Sequence, residues 1–146
     1  MRTLNKTRWL IVLLSFLGCW FAAHAQDVIL VANRGVRISE IKDADLHAIF
    51  MGTKTRFSDG SHAVPVILKG GPAHEVLLQK HLGENPNDFR AQWRKVVFTG
   101  QGDMPKAFDS EPALIEYVAV TPGAVGYVSR ISRQDQDKVK SIVAVK

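Results

Sequence analysis

The sequence predicts a single three-layer α/β domain, and three observations support that prediction. Strand-like and helix-like segments alternate in the order β, α, β, α, α, α, β, β. Residues 27–33 (DVILVAN) form a continuous apolar run, which is typical of a strand buried on both faces of an α/β sheet. The chain has 146 residues, enough for one hydrophobic core and too few for two ordinary domains.

The first 25 residues have the pattern of a secretory signal peptide. Arg2, Lys6 and Arg8 precede a 13-residue apolar run, residues 9–21, and Ala25 follows where a signal peptidase would cut. The run is shorter than the roughly 20 residues that a membrane-spanning helix needs. We therefore expect residues 1–25 to be cleaved and residues 26–146 to form one periplasmic or secreted domain.

Cleavage after Ala25 changes both the charge and the cysteine content. It leaves 16 basic and 14 acidic side chains, a near balance that gives no reason to expect a nucleic-acid partner. It also removes Cys19, and with it any disulfide or thiol chemistry. The alternative is a lipoprotein lipidated at Cys19, although Leu17 is large where such sites usually carry a small residue.

Residues that favour caps and turns mark the ends of the predicted elements. The first predicted helix begins at Asp43 and ends at Gly52. The second, residues 73–82, begins after Pro72 and stops at Gly83. The third begins at Asn85, and Ser110 precedes the fourth, residues 111–120. Further strands are predicted over residues 64–69, 125–129 and 140–145, with a charged turn through Asp135 and Asp137 before the last. Pro65 indicates a sheet edge or the start of a strand, and Phe57 should fix the loop of residues 53–63 to the core.

The third helix has an apolar face and a basic face. Its apolar face is predicted from Phe89, Trp93, Val96 and Val97, which recur at helical spacing. Its basic side chains are Arg90, Arg94 and Lys95. We expect a solvated surface there, with partner docking or anion steering as the alternative.

Several segments resemble the phosphate-binding proteins of bacterial ABC transporters, in the type 2 periplasmic binding protein superfamily. Residues 45–52 (DLHAIFMG) and 55–60 (TRFSDG) resemble the helix-to-loop stretch of that family. Residues 64–66 (VPV) resemble the strand that leads to its anion loop, and residues 121–128 (TPGAVGYV) resemble its Pro-Gly-Ala-Ile-Gly-Tyr signature. The resemblance implies a single lobe with a mixed central sheet, a phosphate or other oxyanion ligand, and an ABC transporter or other periplasmic partner.

The chain departs from this family in two respects. Full members close two lobes around the anion, whereas residues 26–146 resemble mainly the second lobe. The family places Ser-Gly-Thr at the start of the helix after its second strand, with an Arg shortly before, to hold phosphate. Here residues 69–74 read KGGPAH, without those hydroxyls or that Arg.

The turn at residues 69–74 is nevertheless the candidate ligand site. Its residues are Lys69, Gly70, Gly71, Ala73 and His74. The backbone N–H groups at a helix start face outward and favour anions, and the Lys and His side chains would add positive charge. Arg56 or Arg94 would complete the charge neutralisation. The alternative is a plain strand-to-helix turn made by two glycines.

Other candidate sites have weaker signals. Residues 99–103 (TGQGD) either border the same cleft or form a flexible connector. His74 and His81 are seven residues apart on one helical face, but no carboxylate or Cys stands at ligand spacing, so we expect no metal and no cofactor. Gly-x-Ser-x-Gly and paired carboxylates are missing from the sequence, so we expect no enzyme.

Two hypotheses follow for the function. The first is a periplasmic domain that binds an oxyanion weakly at residues 69–74. The second is an accessory, sensor or interaction module that kept the lobe and lost the anion site. Under either hypothesis, a homodimer could rebuild a two-sided cleft. A small hydrolase is a third hypothesis, which would need a cleft with a shifted-pKa His or carboxylate.

Overall fold

The computed structural model of this chain describes residues 26–146, so the predicted signal peptide and Cys19 lie outside the described residues. The strands are β1 Ile29–Asn33, β2 Glu40–Lys42, β3 Val64–Leu68, β4 Lys106–Phe108, β5 Ala124–Val128 and β6 Val139–Val145. The helices are α1 Asp43–Phe50, α2 Pro72–Val76, α3 Pro86–Phe98, α4 Glu111–Val120 and α5 Arg133–Gln136. Within residues 26–146, none of the helices is long and apolar enough to cross a membrane.

The six strands form one mixed sheet in the order β2-β6-β1-β5-β3-β4. Strand β1 is antiparallel to both of its neighbours, while β3 runs parallel to β5 and β4. Because β3 and β4 are parallel, their carboxyl ends share one edge of the sheet and their amino ends share the other. The mixed α/β sheet predicted from the sequence is confirmed.

Strand β5 has helices on both of its faces, which confirms the three layers. A Cβ on Gly126 would lie only 2.8 Å from the Leu114 side chain, so α4 packs directly against that face. The next side chain, Tyr127, points to the opposite face, since side chains alternate along a strand. There its ring lies 6.0 Å from that of Phe50 in α1 and 6.1 Å from that of His74 in α2.

Most predicted elements are present, and the differences have local causes. The first strand is buried through Leu30, Val31 and Ala32, as expected. Strands β2 and β4 were missed because three residues are too few to show a period of two. Pro65 is at the start of β3, as predicted, and it has a strand neighbour only in β5, because β4 pairs only with residues 66–68.

Helix ends also differ from some predictions. Asn85 caps α3 and Ser110 caps α4 through their side-chain oxygens, as predicted. Asp43 is not a cap, since it is already helical and follows the cap residue Lys42. Val97 is 45% exposed and does not belong to the buried face of α3. A short helix, α5, occupies the place of the predicted charged turn.

The predicted helix over residues 73–82 is a composite of α2 and a π-helical turn, Leu77–Leu82. A π turn inserts extra chain and rotates the residues that follow it. Nε2 of His81 donates to the Asp27 carboxylate at 2.9 Å, whereas His74 contacts Tyr127. The two histidines therefore have separate partners, and the single helical face that the spacing suggested is not formed.

Candidate anion-binding turn

The candidate site is the turn between β3 and α2, at the carboxyl edge of the sheet. Gly70 and Gly71 are exposed, and a Cβ on either would meet no atom within 4 Å. Space alone does not require a glycine at position 71. The backbone conformation does, since the φ of Gly71 is +95°, which other residues rarely adopt. The first helical hydrogen bond runs from Glu75 N–H to Gly71 C=O, at 3.1 Å.

Several N–H groups at this turn have no acceptor in the described part of the chain. The N–H groups of Ala73 and His74 come before the first helical bond, so the helix itself cannot satisfy them. The N–H groups of Gly70 and Gly71 make no hydrogen bond to residues 26–146 either. Pro72 has no N–H to contribute. The turn therefore offers backbone donors of the kind that bind anions at helix starts.

Lys69 lies beside these donors, and a carboxylate already faces its charge. Its N–H donates to Phe108 C=O at 2.9 Å, which joins the end of β3 to the end of β4. Its ammonium lies 2.8 Å from the Asp109 carboxylate. Both side chains are largely exposed, so this ion pair is weak and can open. An anion at the turn must compete with Asp109 for Lys69.

His74 does not supply the positive charge expected of it. Its side chain is 8% exposed, packed edge-to-face on Phe89, with Nδ1 2.5 Å from the Tyr127 hydroxyl. Burial lowers the pKa of His74, because the protonated ring would lose its hydration. His74 is therefore neutral at pH 7, and only its backbone N–H faces the turn.

Tyr127 connects β3 to α2 at the buried end of the site through two hydrogen bonds. Its hydroxyl accepts from the Leu68 N–H at 2.9 Å and donates to Nδ1 of the neutral His74. Burial raises the pKa of Tyr127 well above its usual range, so the hydroxyl keeps its proton. This link holds the last residue of β3 and the first turn of α2 in a fixed relation.

The burial of His74 predicts a pH dependence of folding stability. Below its usual pKa of 6.5, the unfolded chain takes up a proton at His74 that the folded chain resists. The free energy of unfolding should therefore fall as the pH drops from 7.5 to 5.5. The check is urea unfolding across that range with His74→Gln, whose loss of stability with falling pH should be smaller than that of the wild type. An equal loss in both proteins would contradict the assignment.

A second carboxylate lies at the same edge of the sheet. Glu111, at the start of α4, accepts from the Ser129 N–H at 2.9 Å and from the Ser129 hydroxyl at 3.0 Å. Ser129 follows β5, whose carboxyl end adjoins that of β3. The Ser129 hydroxyl is thus already hydrogen-bonded to Glu111. Asp109 and Glu111 both add negative charge at the edge of the sheet where the turn lies.

The loop of residues 99–105 does not border this turn. It leads into the amino end of β4, whereas the turn follows the carboxyl end of the parallel strand β3. The two lie at opposite edges of the sheet, about 13 Å apart at roughly 3.3 Å per strand residue. Arg56 donates to Gly60 C=O at 2.7 Å, within the loop before the amino end of β3, and so does not complete the charge at the turn.

Asp109 and Tyr127 are the residues at this site that sequence reasoning missed. Asp109 is 40 residues from Lys69, and only the pairing of β4 with β3 brings them together. Tyr127 is fully buried, and its polar contacts to Leu68 and His74 have no signal in the sequence.

Comparison with protein-family models gives no match for the sequence, and comparison with curated proteins gives none. Solved structures do match. An ABC-type phosphate transport receptor from Vibrio cholerae is 13% identical at a TM-score of 0.55, over 81% of this chain and 46% of that one. PstS from Borrelia burgdorferi is 13% identical at a TM-score of 0.59, over 81% of this chain and 47% of that one.

The chain spans less than half the length of these two structures. Sequence identity this low demonstrates a common fold and leaves the ligand open. The chain thus shares, over 81% of its length, the fold of part of these two structures.

Proposed function

We propose that this chain is an exported, non-enzymatic domain that binds phosphate or another oxyanion weakly at residues 69–74. The observation that carries the proposal is the set of unbonded backbone N–H groups at Gly70, Gly71, Ala73 and His74. These groups belong to the turn and to the first residues of α2, and Lys69 immediately precedes them in the chain. Support also comes from the similarity of the fold to proteins whose names describe phosphate transport.

The charges around the turn explain why the binding is weak. Lys69 must separate from Asp109 before it can contact an anion. His74 contributes a backbone donor and no charge, because its imidazole is buried and neutral. A single lobe also leaves one side of the anion in water, where salt screens the contacts.

Calorimetric titration of phosphate and sulfate at low salt tests this proposal with two opposing variants. Lys69→Ala removes the cation and should weaken phosphate binding by up to about fivefold, the scale of an exposed ion contact. Asp109→Asn frees Lys69 and removes a repelling charge, so it should strengthen binding by a similar factor. Lys138→Ala is the matched control, since Lys138 is also exposed and ion-paired, with Glu116.

The two variants must move the affinity in opposite directions while Lys138→Ala leaves it unchanged. If phosphate binds saturably but Lys69→Ala and Asp109→Asn both leave its affinity unchanged, then the anion binds at another site on the protein. No saturable heat from the wild type or from Asp109→Asn would end the oxyanion proposal.

The second candidate function is a periplasmic interaction module, for which an ABC transporter is one possible partner. A specific observation favours it, since Val97, Phe98 and Met104 are large apolar side chains exposed within eight residues of one another. Large apolar side chains exposed to water, aromatic rings above all, are of the type that anchors protein interfaces. Both functions are compatible, because residues 99–105 lead from α3 to the amino end of β4, whereas the turn follows the carboxyl end of the parallel strand β3.

A further inference from the structure

A cavity of about 390 Å³ opens at the amino ends of β3 and β4. Its apolar walls come from Trp93 and Val96 of α3, from Met104 and from Tyr117. Pockets that bind small molecules have volumes of about 300 to 1,000 Å³ and mostly apolar linings. An apolar cavity of about 150 Å³ is already enough to hold benzene. The cavity at β3 and β4 therefore has room for an apolar ring together with polar groups attached to it.

Lys106, the first residue of β4, places a positive charge in the lining of this cavity. Its ammonium lies 4.6 Å from the centre of the Tyr117 ring and 5.8 Å from that of Phe108. Within residues 26–146, no carboxylate forms an ion pair with it. Contacts with aromatic faces orient an ammonium and leave its N–H groups as hydrogen-bond donors. Lys106 is thus positioned to bind the carboxylate of a ligand.

Asp103 places a negative charge in the lining of the same cavity. It is exposed, and it pairs neither with Lys106 nor with another cation of the described part of the chain. The two residues are three positions apart, so their α-carbons are separated by no more than about 11 Å. An α-amino acid carries its ammonium and its carboxylate on one carbon. It can therefore contact Asp103 and Lys106 at the same time.

We propose that this cavity binds a free amino acid with a large apolar side chain. The carboxylate of the ligand contacts Lys106, its ammonium contacts Asp103, and its side chain lies against Trp93 and Tyr117. A ligand with one charged group would meet a like charge, since a simple carboxylate faces Asp103 and a simple amine faces Lys106. The cavity is at the edge of the sheet opposite to the turn of residues 69–74, so this proposal does not depend on the oxyanion proposal.

Calorimetric titration with phenylalanine tests the site, with three further ligands as controls. Glycine keeps both charged groups and lacks the apolar side chain. Phenylpropanoate lacks the ammonium, and phenethylamine lacks the carboxylate. Phenylalanine should bind saturably and more tightly than each of the three. No saturable heat from phenylalanine, or an equal affinity for glycine, would overturn the proposal.

Two charge variants assign the two ends of the ligand. Asp103→Asn should weaken phenylalanine binding by up to about fivefold, the scale of an exposed ion contact, and should abolish the preference for phenylalanine over phenylpropanoate. Lys106→Met should weaken phenylalanine binding by a similar factor and should abolish the preference over phenethylamine. Lys138→Met is the matched control, since Lys138 is exposed and does not line the cavity. Phenylalanine binding that both Asp103→Asn and Lys106→Met leave unchanged would contradict the proposal.

Backbone amide resonances then locate the ligand. Phenylalanine should shift the amide signal of Gly102, which lines the cavity, and should leave those of Gly70 and Gly71 in place. Phosphate should do the reverse, so a failure of this proposal is distinguishable from a failure of the oxyanion proposal. If phenylalanine shifts Gly70 and Gly71 and leaves Gly102 in place, the amino acid does not bind in this cavity.

Discussion

Gly123→Ala should destabilise the protein by more than about 3 kcal/mol, a large share of the total stability of a small domain. A Cβ at this position would lie 2.3 Å from the carbonyl oxygen of His62, and this backbone atom cannot rotate away. Gly123 also has a φ of +77°, where a side chain adds about 1–2 kcal/mol of strain. We expect the midpoint of urea unfolding to drop sharply, or the variant to be recovered unfolded.

Gly60→Ala separates the two causes of this effect. Gly60 has a similar φ of +83°, but a Cβ there would meet nothing within 4 Å. Its variant should therefore lose only the conformational part, about 1 kcal/mol. Equal losses at Gly60 and Gly123 would contradict the close approach of the loop at His62 to the turn before β5.

Tyr127→Phe should cost about 2–4 kcal/mol of unfolding free energy, although it removes a single oxygen atom. The hydroxyl is the partner of both the Leu68 N–H and the His74 ring, and its loss leaves two polar groups unpaired in the core. Each unpaired buried group costs about 1–3 kcal/mol. Chemical denaturation of the variant measures the loss.

Tyr117→Phe is the control for this substitution, since Tyr117 is the other of the two tyrosines in the chain. The ring of Tyr117 packs on Phe108 with the Lys106 ammonium above it, and its hydroxyl makes no hydrogen bond within the described residues. Its removal should change stability by less than about 0.5 kcal/mol. If Tyr127→Phe is as mild as Tyr117→Phe, then the buried link between β3 and α2 contributes little.

Elements with strong local signals could be predicted from the sequence. The helix of residues 111–120 has a capping Ser110 and a Pro122-Gly123 stop, and α4 has those limits. Strand β1 is a continuous apolar run and is buried along its middle. In both elements a periodic or capping pattern within a few residues determines the structure, so no knowledge of distant residues was needed.

The electrostatics of the site could not be predicted in this way. The position of His74 at the start of the helix suggested a positive charge at the turn, but its side chain is buried against Tyr127, 53 residues later, and is neutral there. Asp109 offsets Lys69 only because β4, a strand of three residues, pairs with β3. These contacts depend on sheet order, and the sequence alone does not encode sheet order in any local pattern.

The most direct test of the central claim is a phosphate titration followed by the backbone amide resonances of the protein. The account predicts that the amide signals of Gly70, Gly71, Ala73 and His74 shift together and saturate, since these N–H groups bind the anion. The amide signal of Gly102, at the opposite edge of the sheet, should stay in place. Shifts confined to other residues, or no saturable shift at the four amides, would contradict the claim that this turn is an anion site.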